Sequence, residues 1–477
     1  MTAPPQPFPS APRDAATAAP EFPRVLGVWD LVLFNIVAVV NLNLVPAFAA
    51  GGFPSLSLLL LALLFFLLPQ GVTVSALVRR YPQQGGIYVW TKASFGEFHG
   101  FLCGWSYWLT NAFYIPTLLF YVVGVALYVG GTRYASLLAD RVFVPAVALA
   151  LLWLLTALCI RGLGVGKWVN NLGGIGAAIT ALAMIAVGWA ALGRGLAHTL
   201  PPAGAWLPAL TDGGAISAFS TICLAMVGLE LAATMAGEIR QPEKSVPRAA
   251  LVGGLACGVL YLCATLALLM TLPAAEVSVI QGVLQAIEMV TGKLGMGWIV
   301  APLAVALSIS IAGAAAAWLA GGARVPFVAG LDRFLPPALG RAHPRWHTPH
   351  VALLMQAAIS SLLILFSLFG VDVFQAYVTL LRLAIITNMI PFLYLFSGGI
   401  RLARQQSGWW LATNSWVGLL ATALAIAVSF LPDQRISDVW VFEAKLVSCV
   451  VLFVGTAVAF FYGYSRRQAA APAQREV

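Results

Sequence analysis

Three carboxamides, Asn35, Asn41 and Asn43, fall inside one apolar run, NIVAVVNLNLVP at residues 35–46. An unpartnered polar side chain is costly in hydrocarbon, so each must face protein or a watery cavity. Five apolar stretches concentrate such residues. The first holds the three asparagines; the third has Tyr107, Trp108, Asn111 and Tyr114; the sixth has Glu230; the eighth has Ser308, Ser310 and Trp318; the tenth has Tyr377, Thr379, Arg382 and Asn388. These types offer hydrogen bonds, one carboxyl able to carry a proton and one guanidinium able to hold a carboxylate. An enzyme would instead need a nucleophile beside a base, or His and Asp ligands at metal spacing. Neither pattern occurs in these stretches. The histidines of HPRWHTPH (His343, His347, His350) lack acidic or thiol company, so no metal site and no cofactor are expected.

The elements that must position these residues follow from composition. Of 477 residues 61% are hydrophobic and only 9% charged, far from the quarter charged of a soluble domain. The sequence therefore predicts an all-α integral membrane protein with about twelve transmembrane helices, at 27–49, 54–78, 98–128, 142–160, 169–192, 214–236, 248–271, 297–321, 350–370, 373–398, 409–431 and 440–464. The Pro- and Ala-rich residues 1–24 read as a disordered cytoplasmic tail without a secretory signal, and 466–477 as a second tail. Nineteen Lys and Arg fall on the side of the termini, six on the other, and Arg382 lies within a span. Both termini are thus expected in the cytoplasm, with the protein multi-pass in the cytoplasmic (inner) membrane. The basic residues are scattered over short loops, which gives no support for nucleic acid as a partner. The six cysteines all fall in spans and are expected to be free, packed thiols.

Spans 1, 3, 6, 8 and 10 form an informative set. Chains built from two inverted five-helix repeats place spans 1 and 6 in corresponding positions, break both near the midplane and bind solute there. Gly228, two residues before Glu230, can release backbone groups for a ligand or simply allow close packing. Asn41 and Asn43, two apart, cannot share one face of an intact helix. They either supply donors and acceptors where the chain opens, helped by the tolerance of Asn for left-handed backbone, or tie neighbouring helices together. Asn35 reads as structural. Arg382 has three readings: a fork for a substrate carboxylate, a pair with Glu230 or another acid, or a side chain reaching an interface.

Three segments resemble the amino acid–polyamine–organocation superfamily of transporters. CLAMVGLELAATMAGEIRQPEKSVPRA is similar to its sixth-helix signature, YPQQGGIYVWTKASFGEFHGFLCGWSYW to its loop from helix 2 into helix 3, and RVPFVAGLDRFLPPALGRAHPRWHTPHVALL to its loop between helices 8 and 9. The resemblance extends over most of residues 24–465. It implies a 5+5 inverted repeat of the LeuT type over 25–400, two further helices over 401–465, and alternating access around a central site. By the same resemblance Asn111 matches a substrate-facing asparagine, Trp318 a tryptophan that packs on the substrate, Glu230 a glutamate implicated in protonation, and Leu224, Ala225, Met226 and Gly228 the unwound segment of helix 6.

Two departures stand out. Where the family has a Gly-Ser-Gly type break in helix 1, this chain has Ala38, Val39, Val40 and Asn41 and no glycine; where it has a gating aromatic in helix 6, this chain has Leu224. Some relatives couple to protons through a lysine in helix 5, and the span WVNNLGGIGAAITALAMIAVGW has none. The expectation is a secondary transporter for a small amino acid, perhaps acidic or otherwise carboxylate-bearing, coupled to protons or working by exchange. Sodium is disfavoured, although Ser308 and Ser310 could contribute to such a site. A polyamine or organic amine carrier and a non-transporting solute sensor are the other readings. Tyr88 and Trp90 read as interfacial anchors, and EIRQPEK and DRFLPP as charged turns at a cytoplasmic gate.

Overall fold

The computed structural model describes residues 24–197, 206, 213–273, 276–278, 281–332, 334–366, 373–431 and 439–470. Almost all of the expected N-terminal tail, and the last seven residues of the C-terminal one, lie outside them. The side chains of Tyr377 and Thr379 are likewise outside what is described.

The first predicted span is two helices, α1 (Val28–Val39) and α2 (Val45–Ala49). The second is α3 (Pro54–Ala62) and α4 (Leu68–Arg80), joined by a π-helical turn over Leu63–Leu67. A short helix α5 (Ile87–Phe95) leads into α6 (Glu97–Ala126), followed by α7 (Phe143–Ile160) and α8 (Leu163–Gly193). The sixth span is again split, into α9 (Gly213–Ala225) and α10 (Leu231–Thr234). Then come α11 (Pro242–Thr271), the short α12 (Gly282–Lys293), α13 (Val300–Leu331), α14 (His350–Phe366), α15 (Val373–Gln406), α16 (Trp409–Ser429) and α17 (Val439–Ala470).

Among the described residues nine helices are long and apolar enough to cross a membrane, and Val28–Val39, Ile216–Ala225 and His350–Phe366 are shorter apolar helices. A twelve-residue helix spans about 18 Å, well short of ~30 Å of hydrocarbon. Splitting the first and sixth spans therefore makes each half too short to cross alone. In lipid such a broken backbone is tolerated only when enclosed by protein, and here α8, α11 and α13 pack on α1 while α3, α15 and α16 pack on α9. Close approach of α8 to α1 and α13 depends on glycine. A β-carbon on Gly173 would lie 2.8 Å from Val37 and 2.9 Å from the backbone of Gly313, so a larger residue there would push three helices apart.

Two sequence expectations need correction. α13 continues through Arg324 to Leu331, some ten residues beyond the predicted end, because Arg324 is neutralised inside the protein by Glu238. The segment RVPFVAGL is accordingly helix rather than loop. Tyr88 and Trp90 do not face lipid either; both are buried against protein, with Trp90 donating to the carbonyl of Tyr81 at 3.0 Å. All six cysteines are free thiols, four of them buried.

Candidate functional site: a paired helix break

α1 ends without a glycine. Val40 turns out of the helix with φ −76° and ψ 76°, and residues 41–44 form turns before α2 begins. Neither Asn41 nor Asn43 adopts left-handed backbone, so the tolerance of Asn for that conformation is not what opens the chain. The break is held from outside, by Tyr261 of α11. Its hydroxyl accepts from the amide N–H of Asn41 at 2.7 Å and shares its proton between the carbonyls of Val39 (2.5 Å) and Ala225 (2.9 Å). These two carbonyls lie at the C-terminal ends of α1 and α9, beyond the reach of regular helical bonding. One phenol thus fastens both breaks.

The break between α9 and α10 does use a glycine. Gly228 has φ +137°, and a β-carbon on it would meet the Val39 side chain at 3.0 Å and the carbonyl of Ala38 at 3.2 Å. Any other residue would be strained there and would force the two breaks apart. The Nδ2 of Asn41 lies 3.2 Å from the Ala38 carbonyl, 3.3 Å from that of Val39 and 3.5 Å from that of Ala225. Val40, Leu224, Ala225 and Met226 are buried around this junction.

On the α6 and α13 side, Asn111 donates to the Tyr107 carbonyl at 2.9 Å, and its amide presses on Gly322, where a β-carbon would come within 2.7 Å. Trp318 packs edge-on to Tyr114 at 5.9 Å between ring centres and near Tyr107 at 6.3 Å. Buried polar atoms with no protein partner among the described residues include Oδ1 of Asn41, both amide atoms of Asn43, Oδ1 of Asn111 and Nε1 of Trp318. Native cores rarely leave such groups orphaned, and these lie on or beside the segments that form the paired break. Asn35 is orphaned too, but it packs on Gly253 of α11, a turn and a half before Asn41.

Glu230 is fully buried and faces three donors. Gln70 Nε2 reaches its Oε2 at 2.6 Å, the amide of Gly228 the same oxygen at 3.1 Å, and the Tyr107 hydroxyl its Oε1 at 2.9 Å. It forms no ion pair among the described residues. Arg382 is not its partner. The guanidinium instead lies against α9, with Nη1 3.3 Å from Ser220 Oγ and Nη2 3.3 Å from Ser217 Oγ. Ser220 is about 6 Å along the helix from Leu224, so Arg382 stands apart from Asn41 and Trp318, towards the end of the bundle opposite residue 24.

At the end near residue 24 the structure is closed. Arg324 clasps Glu238 through Nε (2.9 Å) and Nη2 (3.1 Å), both side chains buried. Gln84 donates to Glu238 and accepts from the amide of Gly237 at 2.9 Å. Leu26 bridges to Ile239. Asp332 accepts from Lys92 at 2.8 Å and from Tyr88 at 2.6 Å; burial and the adjacent carboxylate push the Tyr88 phenol well above its ordinary range, so it remains a donor. Glu238 and Asp332 belong to EIRQPEK and DRFLPP, the segments expected at a gate. Ser308 bonds back to the carbonyl of Ala304 in its own helix.

Tyr261 and Gln70 are the site residues that sequence reasoning missed. A tyrosine in GVLYLCATL reads as packing. Gln70 did carry a signal, a lone amide in the apolar run FFLLPQGVTV, subject to the same cost as the asparagines of the first span.

The model of the amino acid permease family matches residues 26–458. An uncharacterised transporter of Legionella pneumophila is 26% identical over 447 residues, covering 90% of this chain and 95% of its own. A probable agmatine/putrescine antiporter of Lactococcus lactis is 23% identical over 68% of this chain and 69% of its own. A serine/threonine exchanger of Bacillus subtilis is 28% identical over 65% of this chain and 68% of its own. With nearly its whole length matched and a polar helix break enclosed among membrane-length helices, the chain belongs to the amino acid permease family of the amino acid–polyamine–organocation superfamily and is a membrane-embedded secondary transporter, not an enzyme.

Proposed function

We propose that the protein carries a small amino acid across the cytoplasmic membrane by alternating access, through twelve spans arranged as a 5+5 inverted repeat followed by two helices. The observation that carries this reading is the cluster of orphaned polar atoms along the paired break. It includes acceptors on Asn41, Asn43 and Asn111 and donors on Asn43 and Trp318, a mixture suited to a zwitterion. A polyamine would need free negative charge, and the carboxylate of Glu230 is already held by Gln70, Tyr107 and Gly228. The ligand lies between Asn41 and Asn43 on one side and Asn111 and Trp318 on the other, with Val40, Leu224, Ala225, Met226 and Gly228 shaping its floor. Arg382, displaced along α9, meets a carboxylate on the way in rather than at the break, and so favours carboxylate-bearing solutes.

Glu230 is the proton site of this cycle, whether the net reaction is symport or exchange. Its carboxyl lies in the unwound segment, so a change in its charge acts directly on the break. Sodium is disfavoured because Ser308 is satisfied within α13 and the α8–α13 contact is backbone against backbone.

The test is uptake by proteoliposomes, with inward acid pH gradients and with internal amino acids, across a panel of amino acids and polyamines. Uptake of a small carboxylate-bearing amino acid, reduced about tenfold or more by Trp318→Ala, is the expected result. Uptake of polyamines alone, or a Trp318→Ala variant as active as wild type, overturns the proposal.

A further inference from the structure

Every group around Glu230 is arranged for its ionised form. Gln70 Nε2 and the Gly228 amide point at one carboxylate oxygen and the Tyr107 hydroxyl at the other. Tyr107, from α6, is the titratable group in contact with it; α4 contributes only the neutral Gln70, and the rest is backbone. A protonated carboxyl must donate as well as accept, and two of these three partners, as they stand, only donate. The other end of the Gln70 amide supplies what is missing. Its Oε1 is buried and has no partner among the described residues.

Resting on the reading of Glu230 as the proton site, we propose that Gln70 is the positioning residue that reads its charge, turning its amide over when Glu230 is protonated. In the ionised state Nε2 donates to Oε2. When a proton binds Oε2, a half-turn of the amide presents Oε1 as the acceptor of the new O–H, while Tyr107 continues to donate to Glu230 Oε1. Counting orphaned groups favours this over the alternative. With the amide turned, one group is left unpartnered, the Gln70 NH₂. If the proton were instead accommodated by Tyr107 accepting, both the displaced Tyr107 hydroxyl proton and Gln70 Oε1 would be left. Gln70 also sits one turn after the π-helical segment Leu63–Leu67. Wide turns of this kind are frequent at functional sites, and a helix interrupted there can follow a change in its side-chain partner. The amide thus links the charge on the α9–α10 break to α4.

The experiment is pH-difference infrared spectroscopy on the purified full-length protein, with Glu230→Gln and Gln70→Met in parallel. The expected wild-type spectrum has a carboxyl protonation band together with an amide carbonyl band that shifts in step with it. Glu230→Gln should lose both, and Gln70→Met should keep the carboxyl band and lose the amide one. A wild-type carboxyl band with no accompanying amide band, or an amide band that survives Gln70→Met, overturns the inference and leaves Glu230 as the proton site. Carboxyl bands identical in wild type and Glu230→Gln refute the proton-site reading itself. Should Gln70→Met fail to accumulate, wild-type protein with isotope-labelled glutamine side chains tests the same band: a label-induced shift supports the flip and its absence overturns it.

Discussion

Tyr261 shows how a single side chain can replace a sequence motif. Where a glycine-rich break frees backbone groups by conformational licence, this chain ends α1 with Val39 and Val40, and a phenol from α11 takes up one amide and two carbonyls. Tyr261→Phe would remove one hydrogen bond from each of those three groups while changing almost no volume, leaving the Asn41 N–H to the Val39 carbonyl at 2.7 Å and the Ala225 carbonyl to Asn41 Nδ2 at 3.5 Å. A lost buried hydrogen bond costs about 1–3 kcal/mol, so the variant should show lower thermal stability in detergent by about that order and should lose transport. If Tyr261→Phe melts with wild type, the hydroxyl does not hold the break. Gly228→Ala should be the more damaging change, since it combines a strained φ of +137° with contact against the Ala38 carbonyl; impaired accumulation or stability would be the readout. What the sequence shows about these residues follows from how local the determinant is. The release at Gly228 is visible because glycine announces its own backbone freedom. The opening at Asn41 is invisible, because its cause lies 220 residues away in a stretch with no unusual composition. Arg382 stands out in the sequence as a guanidinium inside an apolar run, but its neighbours Ser217 and Ser220 are ordinary helical serines, and only packing selects them over Glu230.

At the scale of elements, the apolar runs predicted the helices well because lipid forces every backbone group to be satisfied within its own segment. Departures came where tertiary contacts cancel a local signal. Arg324 looks like the end of a membrane helix, yet α13 passes through it because Glu238 lies at 2.9 Å. That pair joins α13 to the segment following α10, and with Gln84 it seals one end of the bundle. Arg324→Ala would strand a buried carboxylate, at a cost of about 3–5 kcal/mol. Most of this should appear as opening of that end. Thr234, fully buried in the closed structure, is the reporter: a Thr234→Cys thiol should react slowly in otherwise wild-type protein and at least tenfold faster with Arg324→Ala. Equal rates would mean that the pair stabilises the fold without gating it. A smaller element carries a pH signature. The carboxylate of Asp140 accepts from the amides of Val142 and Phe143 at 2.8 and 3.0 Å ahead of α7, and these bonds hold it below the ordinary aspartate range. A depressed acid stabilises the folded state above its unfolded value, and the contribution is lost as pH falls through the folded one. Amide protection at the start of α7, measured against the intrinsic exchange rate, should therefore fall only in the acid range, and Asp140→Asn should flatten that dependence.

For the whole molecule, the unequal distribution of charge decides which side the closed end faces. By the spans read from the sequence, nineteen of the 26 Lys and Arg fall on the side of the termini, which is also the side of the Arg324–Glu238 clasp, against six on the other. Loops rich in Lys and Arg stay in the cytoplasm because moving them across the bilayer is unfavourable, and here the bias is spread over many short loops rather than resting on one. By this rule the closed end is expected to face the cytoplasm. This can be checked in intact cells with a membrane-impermeant thiol reagent and single exposed cysteines, against the wild-type background of six native thiols. Lys293→Cys, at the end of α12, should label without lysis. Arg79→Cys, at the end of α4, should label only after the membrane is opened. The reverse pattern would invert the orientation, and with it the role of Arg382. It would then act on solute leaving the cytoplasm, and the Arg324–Glu238 clasp would be the outer gate.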